Sequence, residues 1–268
     1  MKIKRLTPPQ TITVSFAAVI AVGAALLALP AASANGRSVG MLNALFTSTS
    51  ATCVTGLTVV VTAEHWSVFG KIVLLFLIQI GALGLLTFGA LALIIFRHRI
   101  SLKNQLVIQA SFNQERVGGM SKLVSNVVKI TLTFELCGTV LLFAAFAVSG
   151  MPLGEVLAQG LFHSVSAFCN AGFDNLGSDG LMPYRDNLFV CGVISLLTIS
   201  GGLGFPVWAE LFALRKPESR SSARLKIQHL TLHTKMTLTV TGILIVFGTL
   251  LVLLFEWSNP DTLARIHL

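Results

Sequence analysis

Charge is what this sequence has least of. Asp, Glu, Lys and Arg make up 11% of its 268 residues, against about a quarter in a soluble domain. No GxGxxG and no GK[ST] loop occurs, so the chain carries no nucleotide-binding fingerprint of its own. No HExxH pair occurs either. Cysteine is sparse. Cys53, Cys137, Cys169 and Cys191 have no paired spacing and lie in or beside apolar segments, which excludes a disulfide framework or a thiolate metal knot. Cys137 and Cys191 read as small buried hydrophobes.

Long apolar runs fill the space that charge leaves. Thr11–Leu29, Val68–Phe96, Val124–Ser149, Asn187–Leu214 and Thr231–Phe255 each reach the roughly 20 residues that cross a hydrocarbon core. Backbone polar groups in lipid must be paired internally, so the spans are helices. The fold class is an all-α integral membrane protein. "MKIKR", an apolar run and "ASA" at Ala32–Ala34 also have the form of a signal peptide. The length of that run and its place in the repeat described below favour an uncleaved helix.

The formal net charge of +8 is distributed as a topology signal. Lys2, Lys4 and Arg5 precede the first run. Arg97, Arg99, Lys103, Arg116, Lys122 and Lys129 lie between the second run and the early part of the third. Arg215, Lys216, Arg220, Arg224, Lys226 and Lys235 lie between the fourth run and the start of the fifth. The other connections hold only Arg37, Lys71 and Arg185, with the acids Glu64, Glu155, Asp174, Asp179 and Asp186. This is the positive-inside pattern, with the N-terminus cytoplasmic. The basic loops are explained by topology, so nucleic acid is not an expected partner; membrane lipid is.

The Ser- and Thr-rich stretch "LFTSTSATCVTGL", Leu45–Leu57, nearly recurs as "LFHSVSAFCNAGF", Leu161–Phe173. At a constant offset of 116, seven of thirteen positions are identical: Leu45/Leu161, Phe46/Phe162, Ser48/Ser164, Ser50/Ser166, Ala51/Ala167, Cys53/Cys169 and Gly56/Gly172. "GALG" at Gly81–Gly84 matches "GGLG" at Gly201–Gly204, at an offset of 120. The unit is helix, short polar-tipped segment, helix. Val39–Ala51 and Leu153–Ala167 are too short to span and read as re-entrant half-helices on the outer side. A half-helix that ends inside the membrane directs partial negative charge toward a cation. The residues that follow would run extended, carbonyls toward the axis, as in potassium-selective filters. Gly suits such a stretch because it has no Cβ to clash. Ser and Thr hydroxyls can hold the neighbouring backbone. Ordinary close packing of small residues is the plain alternative.

"SATCVTGLTVV" and "SAFCNAGFDNLG" resemble the first and second filter segments of the Trk/Ktr/HKT superfamily of potassium transporters. "QIGALGLLTFG" and "SGGLGFPVWAE" resemble the inner helices after each filter, and "LTLHTKMTLTVTGILIVFGTLLVLLFEWSNP" the helix that opens a third repeat. One helix before the first short segment resembles the Ktr membrane subunit (KtrB-like). The resemblance implies four helix–pore–helix repeats of potassium-channel type, of which this chain holds two and the first helix of a third. The divisions are 1–116, with a cytoplasmic linker; 117–220; and 221–268. It implies a filter made by Cys53, Val54, Thr55 and Gly56 with Cys169, Asn170, Ala171 and Gly172. Gly at the first filter position is associated in the family with potassium selectivity. A homodimer is implied, as is a cytosolic nucleotide-binding regulatory subunit (KtrA/TrkA-like). No cofactor is expected in the chain itself, potassium being the substrate. The chain stops at Leu268, before the third and fourth filters. The expectation is an N-terminal fragment or truncated product, with a non-conducting fragment that assembles with full-length subunits as the alternative function.

Several residues keep two readings. Glu135, in mid-helix, is either functional or bonded at an interface. Glu210 is read as hydrated. Asp174 either gathers cations or is a solvated loop acid. His163 reads as polar support of the filter. His229 and His233, four apart, could pair on a metal but read as an interfacial helix end. Arg99–Gly119 reads as a cytoplasmic amphipathic helix. An intramembrane hydrolase using Cys or Ser with His finds no grouped nucleophile, base and acid. Reporter fusions should place residues 97–122 in the cytoplasm and 174–186 outside; the reverse would overturn this topology.

Overall fold

The computed structural model describes residues 8–84, 120–214 and 230–259. It divides into two compact units, residues 1–202 and 203–268. The first contains α1 (Pro8–Leu27), α2 (Met41–Thr52), α3 (Thr62–His65), α4 (Val68–Leu83), α5 (Met120–Val148), α6 (Leu153–Phe168) and α7 (Leu188–Gly202). The second contains α8 (Phe205–Leu214) and α9 (Leu232–Glu256). No strand occurs among the described residues, which hold one isolated bridge, Ser33 with Trp66.

Three stretches, Gln10–Leu27, Val124–Val148 and Leu232–Glu256, are long and apolar enough to cross a membrane. The short segments have 12 and 16 residues in α2 and α6, below the roughly 20 that spanning needs. The long helices show which face meets what. In α5, Val124, Val127, Thr131, Glu135, Thr139, Leu142 and Phe146 are buried, a stripe at helical spacing. Leu132, Leu136 and Val140 are exposed on the other side, as suits a face turned to hydrocarbon. Cys137 lies among these exposed residues. It is not the buried hydrophobe expected, because an apolar surface meets no penalty in lipid and need not pack.

Two of the apolar runs are not single helices. α4 ends at Leu83, and Gly84 takes φ +76°; residues 85–96 of that run lie outside the described residues. The Asn187–Leu214 run is α7 and then α8, with Gly204 between them at φ +85°. Gly enters this left-handed region without a Cβ penalty, and so ends helices. Pro206 has no N–H to extend α7 and sits in the first turn of α8, where none is needed. The amphipathic Arg99–Gly119 and most of the basic loop after α8 lie outside the described residues, as does His229.

In the first unit, small residues let the helices meet. A Cβ on Gly23 of α1 would press on Ser48 Oγ of α2 and stand 2.7 Å from Leu77 Cδ2 of α4. A Cβ on Gly138 of α5 would press on Ser164 Oγ of α6 and stand 2.7 Å from Leu197 Cδ1 of α7. Each helix trio thus meets through one Gly, one Ser and one Leu. The turn after α1 is pinned too: Ala34 N donates to His65 O at 2.8 Å, Ser67 N to Ala32 O at 2.9 Å, and Ser67 Oγ to Ala31 O at 2.6 Å. A continuous core joins Leu27, Trp66, Leu74 and Ile78 to Phe162, Cys169, Ala171 and Phe173.

In the second unit Glu210 is not simply hydrated. It accepts from Thr231 N at 2.7 Å and Thr231 Oγ1 at 2.8 Å, and from the Thr234 hydroxyl. The carboxylate thereby caps the N-terminus of α9, where donors are unpaired and the helix dipole is positive.

Gly81 of α4 and Gly201 of α7 abut the carbonyls that end α2 and α6. A Cβ on Gly81 would stand 2.9 Å from the Thr52 carbonyl carbon, and one on Gly201 2.9 Å from that of Phe168. Gly81→Ala and Gly201→Ala are each expected to lower stability by about 1–3 kcal/mol through overpacking. Thermal unfolding in detergent measures this. Gly192→Ala, in open space, should be neutral or stabilising.

Candidate functional site

Two helices stop inside the first unit, and the backbone that leaves them is built alike. α2 ends at Thr52 and α6 at Phe168. The next residue, Cys53 or Cys169, is still right-handed, at φ −87° and −74°. Val54 and Asn170 then both take φ +56°. Thr55 and Ala171 return to negative φ, and Gly56 and Gly172 take φ +74° and +71°. The sign alternates over four residues in each segment. Alternating right- and left-handed residues turn successive backbone groups to one side, and where those groups are carbonyls they can face a cation. A β-strand turns them to opposite sides.

Left-handed Gly is ordinary; left-handed Val is not. A β-branched residue there is an outlier, costing about 1–3 kcal/mol that its surroundings must override. Those surroundings are visible. Thr55 N donates to Ser50 O at 2.9 Å, and Ala171 N to Ser166 O at 2.7 Å. Thr55 Oγ1 donates to Ser50 Oγ at 2.9 Å. Ser166 Oγ donates to Phe173 O at 2.6 Å. Each helix end therefore reaches forward to grip its own segment. Ser48 Oγ donates to Ile20 O at 2.8 Å and Ser164 Oγ to Glu135 O at 2.7 Å, which fastens each short helix to the long one before it. The Ser48, Ser164 and Ser166 hydroxyls of the two matching sequences thus hold backbone, whereas the buried Thr47 and Thr52 hydroxyls have no hydrogen-bond partner.

The segments meet at their glycines. A Cβ on Gly56 would stand 3.1 Å from Gly172 Cα, and one on Gly172 would stand 3.1 Å from Gly56 Cα. All eight residues expected at the site lie on these two segments. Cys53, Thr55, Asn170 and Gly172 are exposed, Val54 and Gly56 half-buried, and Cys169 and Ala171 buried. The asymmetry follows from what stands behind each. The Asn170 amide reaches α7: in the orientation that pairs both of its atoms, Nδ2 donates to Thr198 O at 3.1 Å and Oδ1 accepts from Gly202 N at 3.3 Å.

Support for the second segment extends past Gly172. His163 is buried. Its Nδ1 pairs with Gln159 O at 2.8 Å and its Nε2 accepts from Asn175 N at 3.3 Å. The acceptor role of Nε2 places the ring proton on Nδ1. His163 therefore does serve as polar support. Asp174 Oδ1 accepts from Leu176 N at 2.8 Å, a local turn. A cavity of about 300 Å³ beside this segment is lined in part by His163, Asn170, Asp174 and Thr198.

Sequence reading missed three things. It did not see Val54 and Asn170 in the left-handed region; Asn tolerates that region, but nothing local assigns it to the β-branched Val54. It did not see that Gly81 and Gly201 cradle the helix-end carbonyls, although the "GALG" and "GGLG" match was the available signal. It left Glu135 undecided. The structure bonds it to Gln79 and to the Cys169 thiol. No group of three or more His, Cys, Asp or Glu that could hold a metal occurs among the described residues.

The family model described as TrkH, cation transport protein, matches residues 4–267. The chain is 38% identical over 98% of its length to the potassium/sodium uptake protein NtpJ of Enterococcus hirae, covering 55% of that protein. It is 38% identical to the Ktr system potassium uptake protein B of Bacillus subtilis, covering 98% of this chain and 56% of that protein. The corresponding Vibrio alginolyticus protein is 38% identical, covering 96% and 54%. The chain spans about half the length of these curated relatives. A family match over nearly the whole chain, on a helical protein with membrane-length apolar helices, places it among multi-pass membrane proteins: the chain belongs to the TrkH family of cation transport proteins.

Proposed function

We propose that the chain supplies two segments of a backbone-carbonyl selectivity filter for potassium uptake across the plasma membrane. The observation that carries this is the paired alternation of φ at Cys53–Gly56 and Cys169–Gly172, with a left-handed non-glycine residue at the same place in each, strained at Val54. Strain held by the surroundings is characteristic of ligand-binding backbone. Carbonyls turned to one side can replace an ion's water shell. The ends of α2 and α6 add the negative ends of two helix dipoles. Thr52 and Phe168 carbonyls have no further turn of helix to pair with. The family and its relatives are transporters rather than enzymes, so the hydrolase reading has no support.

Finer parts of the reading rest on the same base. The relatives' names couple potassium or sodium to uptake. Gly56 favours potassium through the family resemblance, in which Gly at the first filter position goes with potassium selectivity; a Cβ on Gly56 would stand 3.1 Å from Gly172 Cα, so a side chain there would displace the neighbouring segment. Potassium is the cargo, held by filter carbonyls. A name of the form "Ktr system" denotes several components, in keeping with a cytosolic nucleotide-binding partner and a homodimer. The charge pattern puts the N-terminus in the cytoplasm and Asp174 near the outer mouth.

The test is rubidium uptake, with and without competing sodium, in cells lacking their own potassium uptake. The cells express the chain alone, or joined to the C-terminal half of the Bacillus subtilis relative. Gly56→Ala and Gly172→Ala are expected to lower the preference for rubidium over sodium at least about tenfold, about 1.4 kcal/mol. Gly36→Ala is the control: φ +68° but open space around it, hence strain without a filter. An unchanged preference in the Gly56 and Gly172 variants would overturn the filter reading.

A further inference from the structure

Behind the second segment, and not the first, a carboxyl group lies in the packed interior. Glu135 is 5% exposed on the buried stripe of α5. Its Oε2 accepts from Gln79 Nε2 of α4 at 3.1 Å. The Cys169 thiol stands 3.7 Å from Glu135 Oε1 and 3.5 Å from Gln79 Oε1. Three side chains, from α4, from α5 and from the first residue of the second segment, therefore close one polar cluster. A carboxyl group buried in an apolar body is destabilising unless its oxygens are bonded, and such networks specify one arrangement when satisfied.

Among the described residues the first segment has no such cluster. Ser48 bonds to Ile20 O where Ser164 bonds to Glu135 O, so Ile20 occupies the place of Glu135. The offset of 120 sets Ile199 against Gln79. Cys53, which matches Cys169, is exposed. The two segments share backbone conformation but not attachment.

We propose that Glu135, oriented by Gln79, is a positioning residue that anchors Cys169. It thereby holds the Cys169–Gly172 carbonyls more tightly than those of Cys53–Gly56. A filter built this way is unequal around its axis, with one strand fixed to the helices behind it. The functional part of this inference rests on the filter reading above; the anchoring part does not.

Two measurements separate them. In native membranes, a membrane-permeant maleimide is applied and modification of Cys53 and Cys169 is read separately by peptide mass spectrometry. Cys169 is expected to react at least about tenfold more slowly than Cys53, the equivalent of about one hydrogen bond. Glu135→Ala should raise the Cys169 rate about tenfold by the same reasoning while leaving Cys53 within about twofold. Glu135→Gln, which keeps an acceptor, should recover most of the protection. Equal rates for the two thiols in the unaltered protein, or a Cys169 rate indifferent to Glu135→Ala, would overturn the anchor.

The second measurement is the rubidium-over-sodium preference of Glu135→Ala, Cys169→Ala and the double variant. Action through Cys169 requires that the double variant be no worse than the more impaired single one. Effects that multiply would show that Glu135 acts by another route and would overturn the positioning role. Gly172→Ala is run beside them. If it leaves the preference unchanged, the filter reading fails while the labelling result still decides the anchor. If it changes the preference and the Glu135 variants do not, the positioning inference alone falls.

Discussion

A helix that stops within an apolar body leaves carbonyls unpaired, and the chain around it must make that tolerable. Here it happens twice, at Thr52 and at Phe168. The consequences reach outward from those two residues. A neighbouring helix must pass close to each terminal carbonyl, which demands Gly81 and Gly201. The departing backbone must be held in a form that it would not choose, which demands Ser50 and Ser166 as partners. The short helices themselves must be fixed to the long ones, which Ser48 and Ser164 accomplish.

The hydroxyls and glycines are therefore two answers to one problem. Hydroxyls supply hydrogen-bonding capacity where no water is at hand; glycines supply room for backbone to approach backbone. Neither contributes much buried apolar area. The apolar core around Trp66, Leu74, Ile78, Phe162 and Phe173 supplies that, and it joins the α1, α2 and α4 trio to α6 and the second segment. Strain at Val54 has to be overridden by the surroundings that hold the segment.

Identical backbone does not make identical sites. The first segment leaves Cys53 exposed, and the second turns Cys169 inward toward Gln79 and Glu135. Asn170 adds a second attachment, to α7, that Val54 cannot make. A chain that carries near-copies of one motif in a single polypeptide is free to vary them independently. A symmetric assembly of identical subunits is not. The side chains behind the backbone are where this chain uses that freedom.

The all-helical membrane class was legible in composition, because apolar runs of that length have few other uses. The two short segments were legible as well, since Ser, Cys and Gly recur in one register. The breaks at Gly84 and Gly204 were not legible, because an apolar run shows no change of character where a helix turns. The exposure of Cys137 followed from which face of α5 meets its neighbours, and helical periodicity in an apolar segment does not reveal that. Glu135 was visible as a charge out of place, but its partners are 56 and 34 positions away in sequence. Local pattern thus determined what kinds of segment this protein has and where the backbone must be unusual. Only packing decided which distant groups meet that backbone, because those pairings depend on helix rotation and approach rather than on any neighbour in the chain.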